Sequence, residues 1–364
     1  MAMMKAAAFL EKGRIEIVQK PIPDVGPNDA LIRITTTTIC GTDVHILKGE
    51  YPVEKGLTVG HEPVGVIEKL GSAVQGYQEG QRAIAGAICP NFNSYAAQDG
   101  YASQDGSYLS ARGLCGCHGY KATAGWRFGN LIDGTQAEYV LVPDAQANLA
   151  PIPDGLTDEQ VLMCPDIMST GFAGAENANI KIGDTVVVFA QGPIGLCATA
   201  GARLLGATTI IAVDGNDHRL GIAKKMGADV TLNFRNVDVV SEVLKLTGGK
   251  GADSSIEALG TQATFEQAMK VIKPGGTLSS LGVYSEDLKI PLSAFASGLG
   301  DHTIRTALCP GGKERMRRLM NVIEANRLDL GVMVTHQRKL DDIAEAYDLF
   351  AHQRDGVLKI AIKP

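Results

Sequence analysis

Val186-Val187-Val188-Phe189 runs straight into Ala190-Gln191-Gly192-Pro193-Ile194-Gly195, and a helix-length stretch over 196–205 follows. A β-branched run, a glycine-bearing turn and a helix make a junction where the helix N-terminus turns unpaired N–H groups and its positive dipole end toward an anion. Gly192 would let the backbone approach a pyrophosphate and Gly195 would let the helix pack on the strand, with Pro193 and Ile194 completing the turn. Ala190 stands where the first glycine of this pattern is usual. The next apolar run, over 209–213, ends in Asp214, 19 residues beyond Gly195. A carboxylate there can accept hydrogen bonds from an adenine ribose diol and repels a 2′-phosphate, which predicts NAD in preference to NADP. Gly215, Asn216 and Arg219 extend the expected coenzyme contact; the plainer reading is that Asp214 opens a turn with Gly215 and Asn216.

Outward from this junction, apolar runs at 185–189, 208–213, 254–258 and 277–283 alternate with helix-length segments, the βαβ rhythm of a parallel sheet with about six strands. The first 150 residues read differently: β-branched runs at 30–39, 64–69 and 137–142 are broken by Gly and Pro, as in a β-rich domain. The tail carries amphipathic helices at 314–326 and 341–351 and a strand at 357–362, and periodicity alone does not assign it to either domain. A length of 364 residues fits two domains, and with no repeat or low-complexity linker they are expected to meet across a close-packed cleft.

Composition narrows the partners. A net charge of −6 with no basic block disfavours nucleic acid. Seven cysteines, an odd number in a long chain, fit a reduced cytoplasm better than a disulfide framework. The apolar stretch after Lys5 ends at Glu11, too short for the core of a signal peptide. The charge-free stretch 185–202 is interrupted by Gly192, Pro193 and Gly195, so it reads as strand, turn and helix and no membrane partner is expected.

A second set of residues carries metal chemistry. Cys40-Gly41-Thr42-Asp43-Val44-His45 and Gly60-His61-Glu62-Pro63-Val64-Gly65 place a thiol, two imidazoles and two carboxylates within 65 residues. Cys and His suit Zn²⁺, whose catalytic sites keep three protein ligands and one open position. His61-Glu62 is followed by Pro63, Val64 and Gly65, with Gly65 where a helical zinc peptidase would carry its second His, so peptide hydrolysis of that kind is disfavoured.

Together with Pro165-Asp166-Ile167-Met168-Ser169-Thr170-Gly171-Phe172, Gly192-Pro193-Ile194-Gly195 and Leu308-Cys309-Pro310-Gly311-Gly312, these motifs resemble the zinc-dependent medium-chain alcohol dehydrogenases. Within that family they are most similar to the tetrameric bacterial secondary alcohol dehydrogenases, over nearly the whole chain. The resemblance implies an α/β protein: a β-rich GroES-like catalytic domain over 1–155 and 310–364, and a Rossmann doubly wound parallel-sheet coenzyme domain over 156–309. It implies one catalytic zinc per chain on Cys40, His61 and Asp166, with Glu62 as an interchangeable fourth carboxylate. Many relatives use Cys at the third ligand, and Cys164 lies two residues before Asp166; the Pro-Asp-Xaa-Met pattern favours Asp166, leaving Cys164 as a packed thiol. Relatives often carry a second, structural zinc on four cysteines after residue 90. Here 91–113 contains no Cys, and Cys115-Gly116-Cys117-His118 lacks the usual gap between thiols, so that segment is expected to serve packing, subunit contact or cleft shaping.

The chemistry so implied is hydride transfer between a small secondary alcohol or ketone and NAD(H), in a homotetramer. Thr42 would take the alcohol proton and pass it through the nicotinamide ribose to His45, whose imidazole can exchange it with solvent near neutral pH. A capping role for Thr42 and a surface role for His45 are the bland alternatives. Ala87, Ile88, Trp126, Leu308 and Cys309 would line a pocket with no cation for a carboxylate or phosphate. Two other classes compete: a zinc-free medium-chain reductase of activated double bonds, and a non-enzymatic nucleotide-binding protein on the same architecture. The joint presence of Cys40, His61 and Asp166 argues against the first, and metal content separates all three.

Overall fold

The computed structural model describes residues 2–113 and 119–364 and divides the chain into two compact units, Met1–Ser169 with Cys309–Pro364, and Thr170–Leu308. Among the described residues no helix is long and apolar enough to cross a membrane.

The second unit is a six-stranded, wholly parallel sheet in the order Val230–Asn233, Thr209–Asp214, Thr185–Phe189, Ala252–Glu257, Ile272–Ser280, Thr303–Thr306. The chain works outward from Thr185–Phe189 to one edge, then returns to its other side. That reversal makes a switch point at the carboxyl ends of the two central strands, the place where open parallel sheets bind ligands. Buried Val187, Phe189, Ile211, Val213, Phe265 and Leu278 form the core beneath it. All but Phe265, which helix Gln262–Lys270 contributes, come from near-continuous apolar strands, because a parallel sheet is covered on both faces.

The first unit carries a seven-stranded sheet ordered Val334–Lys339, Lys359–Lys363, Ala30–Thr38, Val64–Leu70, Arg82–Ala85, Leu149–Pro151, with Tyr139–Val142 also paired to Ala30–Thr38; Met3–Glu11 and Arg14–Pro21 form a separate hairpin. The tail thus joins the first unit, with Lys359–Lys363 antiparallel to Ala30–Thr38 through Ala361 and Ile362. Helix Ile343–Ala351 buries Ile343, Ala346, Tyr347 and Leu349 against Ile39, Ile46 and Ile360.

The unit boundary falls at Ser169/Thr170, later than the 155/156 read from the sequence, and the second at Leu308/Cys309. Residues 156–169 stay with the first unit because local anchors hold them there. Arg82 Nη1 donates to Leu156 O at 2.8 Å and Nη2 to Asp158 Oδ1 at 2.5 Å. The short helix Asp158–Val161 packs on strands Ala30–Thr38 and Val64–Leu70, and the turn Cys164–Met168 packs on helix Lys313–Glu324.

Candidate functional site

Cys40, His61, Glu62 and Asp166 each offer a donor atom, and these atoms all lie within 4.8 Å of one another inside the first unit. Each is delivered by a different local device. Cys40 is the residue before helix Gly41–Leu47, and its N–H donates to Asp43 Oδ2 at 2.9 Å, so the start of that helix fixes the thiol. His61 follows Gly60, whose φ is +90°; a Cβ there would lie 2.6 Å from Gln136 Cγ and 3.0 Å from Gln136 N, so only glycine lets the segment pass. Asp166 sits on a π-helical turn, Cys164–Met168, closed by Met168 N–H to Met163 O at 2.8 Å. Pro165 has no N–H for the tighter helical bond, which favours the wider turn, a feature frequent at functional sites.

Asp166 Oδ2 lies 3.5 Å from Cys40 Sγ and 3.4 Å from His61 Nε2. His61 Nδ1 faces Asp43 Oδ1 at 3.4 Å, and both atoms are buried without a formed hydrogen bond. Lys359, only 1% exposed, donates to Glu62 Oε1 and Oε2 at 3.1 and 2.8 Å and to Ile39 O at 3.2 Å. Burial pushes the Cys40 thiol and the Glu62 carboxyl up, with Lys359 pulling both down and Asp166 adding to the rise. Burial alone would lower His61 and Lys359; the Asp43 and Asp166 carboxylates lift the first well above an ordinary imidazole, and Glu62 lifts the second. The cluster thus shares protons among soft and hard ligands that a divalent cation would displace, and thiol, imidazole and carboxylate are the donors that suit zinc.

Around this ring, Thr42 Oγ1 lies 3.9 Å from Cys40 Sγ. His45, on the same helix and partly exposed, pairs with the Glu50 carboxylate and stands 5.3 Å from the Tyr51 ring. Ala87 N–H donates to Pro165 O at 2.9 Å, Ile88 bridges to Trp126, and Cys309 Sγ lies 3.7 Å from Asp166 O. Trp126 meets His61 edge-on at 5.9 Å. Leu308 closes the second unit. Cys164 is buried outside the ring, its Sγ 3.9 Å from Met168 Sδ, and burial pushes its thiol up. Cys115, Cys117 and His118 lie outside the described residues.

In the second unit, helix Pro193–Leu204 starts at Gly192 with Pro193 in its first turn and Ile194 next. A Cβ on Gly195 would stand 1.8 Å from Ala190 O, so this glycine permits the turn itself. Ala190 has φ +67°, the left-handed conformation that the usual glycine takes freely. Asp214, 7% exposed, accepts from Gln191 N at 2.6 Å through Oδ2 and from Asn216 N at 2.9 Å through Oδ1. Asn216 caps helix Asp217–Lys225, accepting from His218 N at 2.9 Å and Arg219 N at 3.4 Å.

Residues 26–154 match the family described as alcohol dehydrogenase GroES-like domain, and residues 193–325 match zinc-binding dehydrogenase. An alcohol dehydrogenase of Cupriavidus necator is 85% identical over 100% of this chain and 99% of its own length. The chain belongs to the zinc-dependent medium-chain alcohol dehydrogenases. A more distant member, the NADP-dependent isopropanol dehydrogenase of Thermoanaerobacter brockii, is 36% identical over 98% of each chain. Among solved structures, alcohol dehydrogenase TADH from Thermus sp. ATN1 superposes with a TM-score of 0.85 at 30% identity, covering 99% of each chain. As in that family, the first unit is GroES-like and the second is a Rossmann domain.

Two features of this alcohol dehydrogenase escape the sequence reading. Lys359, the buried partner of Glu62, lies in an apolar strand; its signal is one charge inside Val357-Leu358-Lys359-Ile360-Ala361-Ile362. The second lies at the coenzyme turn. A Cβ on Gly215 would lie 2.5 Å from Phe234 Cζ and 3.1 Å from Arg235 Nε, because the neighbouring strand Val230–Asn233 delivers both beside the Asp214 turn.

Proposed function

We propose that this alcohol dehydrogenase interconverts small secondary alcohols and ketones with NAD(H), using one zinc held by Cys40, His61 and Asp166, with Glu62 as the exchangeable fourth carboxylate. The observation that carries the reading is the buried four-donor ring within 4.8 Å. When bound, zinc supplies a Lewis acid that lowers the pKa of an alcohol toward neutrality, and NAD supplies the hydride acceptor. Thr42, beside Cys40, takes the hydroxyl proton, and partly exposed His45 on the same helix returns it to solvent. Lys359 fixes Glu62 at the ring through two hydrogen bonds. Ala87, Ile88, Trp126 and Cys309, all of the first unit, provide an apolar wall that suits uncharged secondary alcohols.

For the coenzyme, Asp214 is fixed by two backbone N–H groups with its carboxylate at the carboxyl end of its strand, where it favours a ribose diol. The T. brockii relative is named for NADP, so the preference is tested by steady-state kinetics with both coenzymes. Equal efficiency with NADP would sink the NAD reading. Resemblance to the secondary alcohol dehydrogenases supports a homotetramer, which a mass measurement in solution checks, and the odd number of cysteines supports a cytoplasmic setting. Elemental analysis returning two zincs per chain, or activity retained after chelation, would overturn the single-metal mechanism.

A further inference from the structure

Asp105 lies in the segment after residue 90 that the motifs leave without a role, yet it is fully buried. Its Oδ2 accepts from Asn91 N at 2.8 Å and from Arg127 Nη2 at 3.1 Å, and its Oδ1 accepts from Ser107 N at 2.9 Å. Arg127, 3% exposed, also reaches Asp144 Oδ2 at 3.3 Å and stacks 5.1 Å from the Tyr108 ring. A buried pair of this kind is held in one geometry, because removing either charge leaves the other uncompensated.

The residue before Arg127 is Trp126, which bridges to Ile88 and meets His61 edge-on. The backbone on its other side has no slack: a Cβ on Gly125 would lie 2.7 Å from Ser103 O and 3.0 Å from Ile88 Cγ2. Ser103 Oγ in turn donates to Cys309 O at 2.8 Å. Residues 103–105 therefore grip two separate pocket residues, Trp126 through Gly125 and Arg127, and Cys309 through its carbonyl.

We propose that Asp105 and Arg127 are positioning residues that hold Trp126 against Ile88 and His61, and so set how large an alcohol the pocket accepts. The assignment rests on the reading of Trp126 as a pocket wall. An ion pair fixes the indole better than apolar packing alone, since the planar Arg fork has a defined direction and a packed side chain can slide.

The test uses the full-length, metal-loaded protein. Trp126 is the only tryptophan, so indole emission reads this one site. Asp105→Ala is expected to move the emission to longer wavelength, to speed acrylamide quenching, and to leave zinc content unchanged. Across a series of 2-alkanols of rising length it is expected to change KM about tenfold while kcat stays within about twofold. Arg127→Lys, which keeps the charge and loses the fork, should fall between wild type and Asp105→Ala. Should Asp105→Ala fail to fold, Asp105→Asn and Arg127→Lys give the same readout. Folded variants with wild-type emission and quenching overturn the proposal, and altered emission with an unchanged KM series overturns its link to alcohol size. If the wild type oxidises no secondary alcohol while the variants still shift emission, the functional reading has failed and the positioning of Trp126 stands.

Discussion

The ring around Cys40 and the turn around Asp214 both bury carboxylates, but they satisfy them by different means. Asp214 takes two backbone N–H donors of its own unit, at 2.6 and 2.9 Å, so backbone dipoles engage both of its oxygens. At the ring, Asp166 and the Cys40 thiol stand 3.5 Å apart, with Glu62 beside them. The Lys359 ammonium pairs with Glu62, His61 faces Asp166, and burial keeps the Cys40 thiol protonated. The coenzyme turn is therefore a scaffold satisfied by its own backbone, whereas the ring keeps its balance with protons that a bound cation would displace.

The largest effects should come from breaking the ring. Asp166→Asn removes an anionic ligand and should cost more activity than the roughly 10- to 100-fold typical of losing a partner that merely supports a ligand. Metal content should fall with it. Cys164→Ser, whose thiol packs against Met168, should keep its zinc. Elemental analysis of both variants decides, and loss of metal from Cys164→Ser with retention in Asp166→Asn would move the ligand to Cys164.

Next comes the buried cation. Lys359→Met leaves Glu62 without its partner and should lower stability by about 3 to 5 kcal/mol, read from denaturant unfolding. Adding Glu62→Gln should recover part of that loss, because the uncompensated charge is gone. A double variant no more stable than the single would show that Lys359 acts through packing.

The same contrast separates what the sequence makes legible from what it hides. Cys40 and His61 sit in local motifs whose residue types suit a metal, Asp166 follows only from resemblance to the family's Pro-Asp-Xaa-Met pattern, and the strand-turn-helix at 185–195 follows from periodicity and two glycines. Lys359 and Asp105 become visible only once the chain folds back on itself, since their partners Glu62 and Arg127 lie 297 and 22 residues away. Arg235 is hidden for a related reason: a parallel neighbouring strand, not the loop after Asp214, brings its guanidinium to the turn. The boundary at 169 was likewise hidden, because the Arg82 anchors that tie Leu156 and Asp158 to the first unit are long-range.

At the coenzyme turn the expected effects are smaller. Asp214→Asn removes the charge but keeps an acceptor for a backbone N–H, so on the proposed NAD reading it should shift the ratio of NAD to NADP efficiency toward NADP on the order of 100-fold, about 2.7 kcal/mol. Arg235→Gln in the wild-type background should reduce kcat/KM with NADP while leaving NAD nearly unchanged. Loss of NAD efficiency alone in the second variant would show that Arg235 serves the shared part of the coenzyme.

The smallest effect tests how complete that scaffold is. Ala190 holds φ +67°, a conformation that costs a residue with a Cβ roughly 1 to 2 kcal/mol. Glycine there removes the strain but gives the unfolded chain extra freedom, worth about 0.4 to 1 kcal/mol in the opposite direction. Ala190→Gly should therefore stabilise the protein by about 1 kcal/mol or less, seen as a small rise in denaturant midpoint with an unchanged slope. Gly195→Ala should do the reverse and far more strongly, since its Cβ would meet Ala190 O at 1.8 Å. If Ala190→Gly instead destabilises by more than about 1 kcal/mol, beyond the upper end of the entropic cost, the alanine methyl contributes packing that outweighs its strain. The replacement of the usual glycine would then be a stabilising feature of this turn.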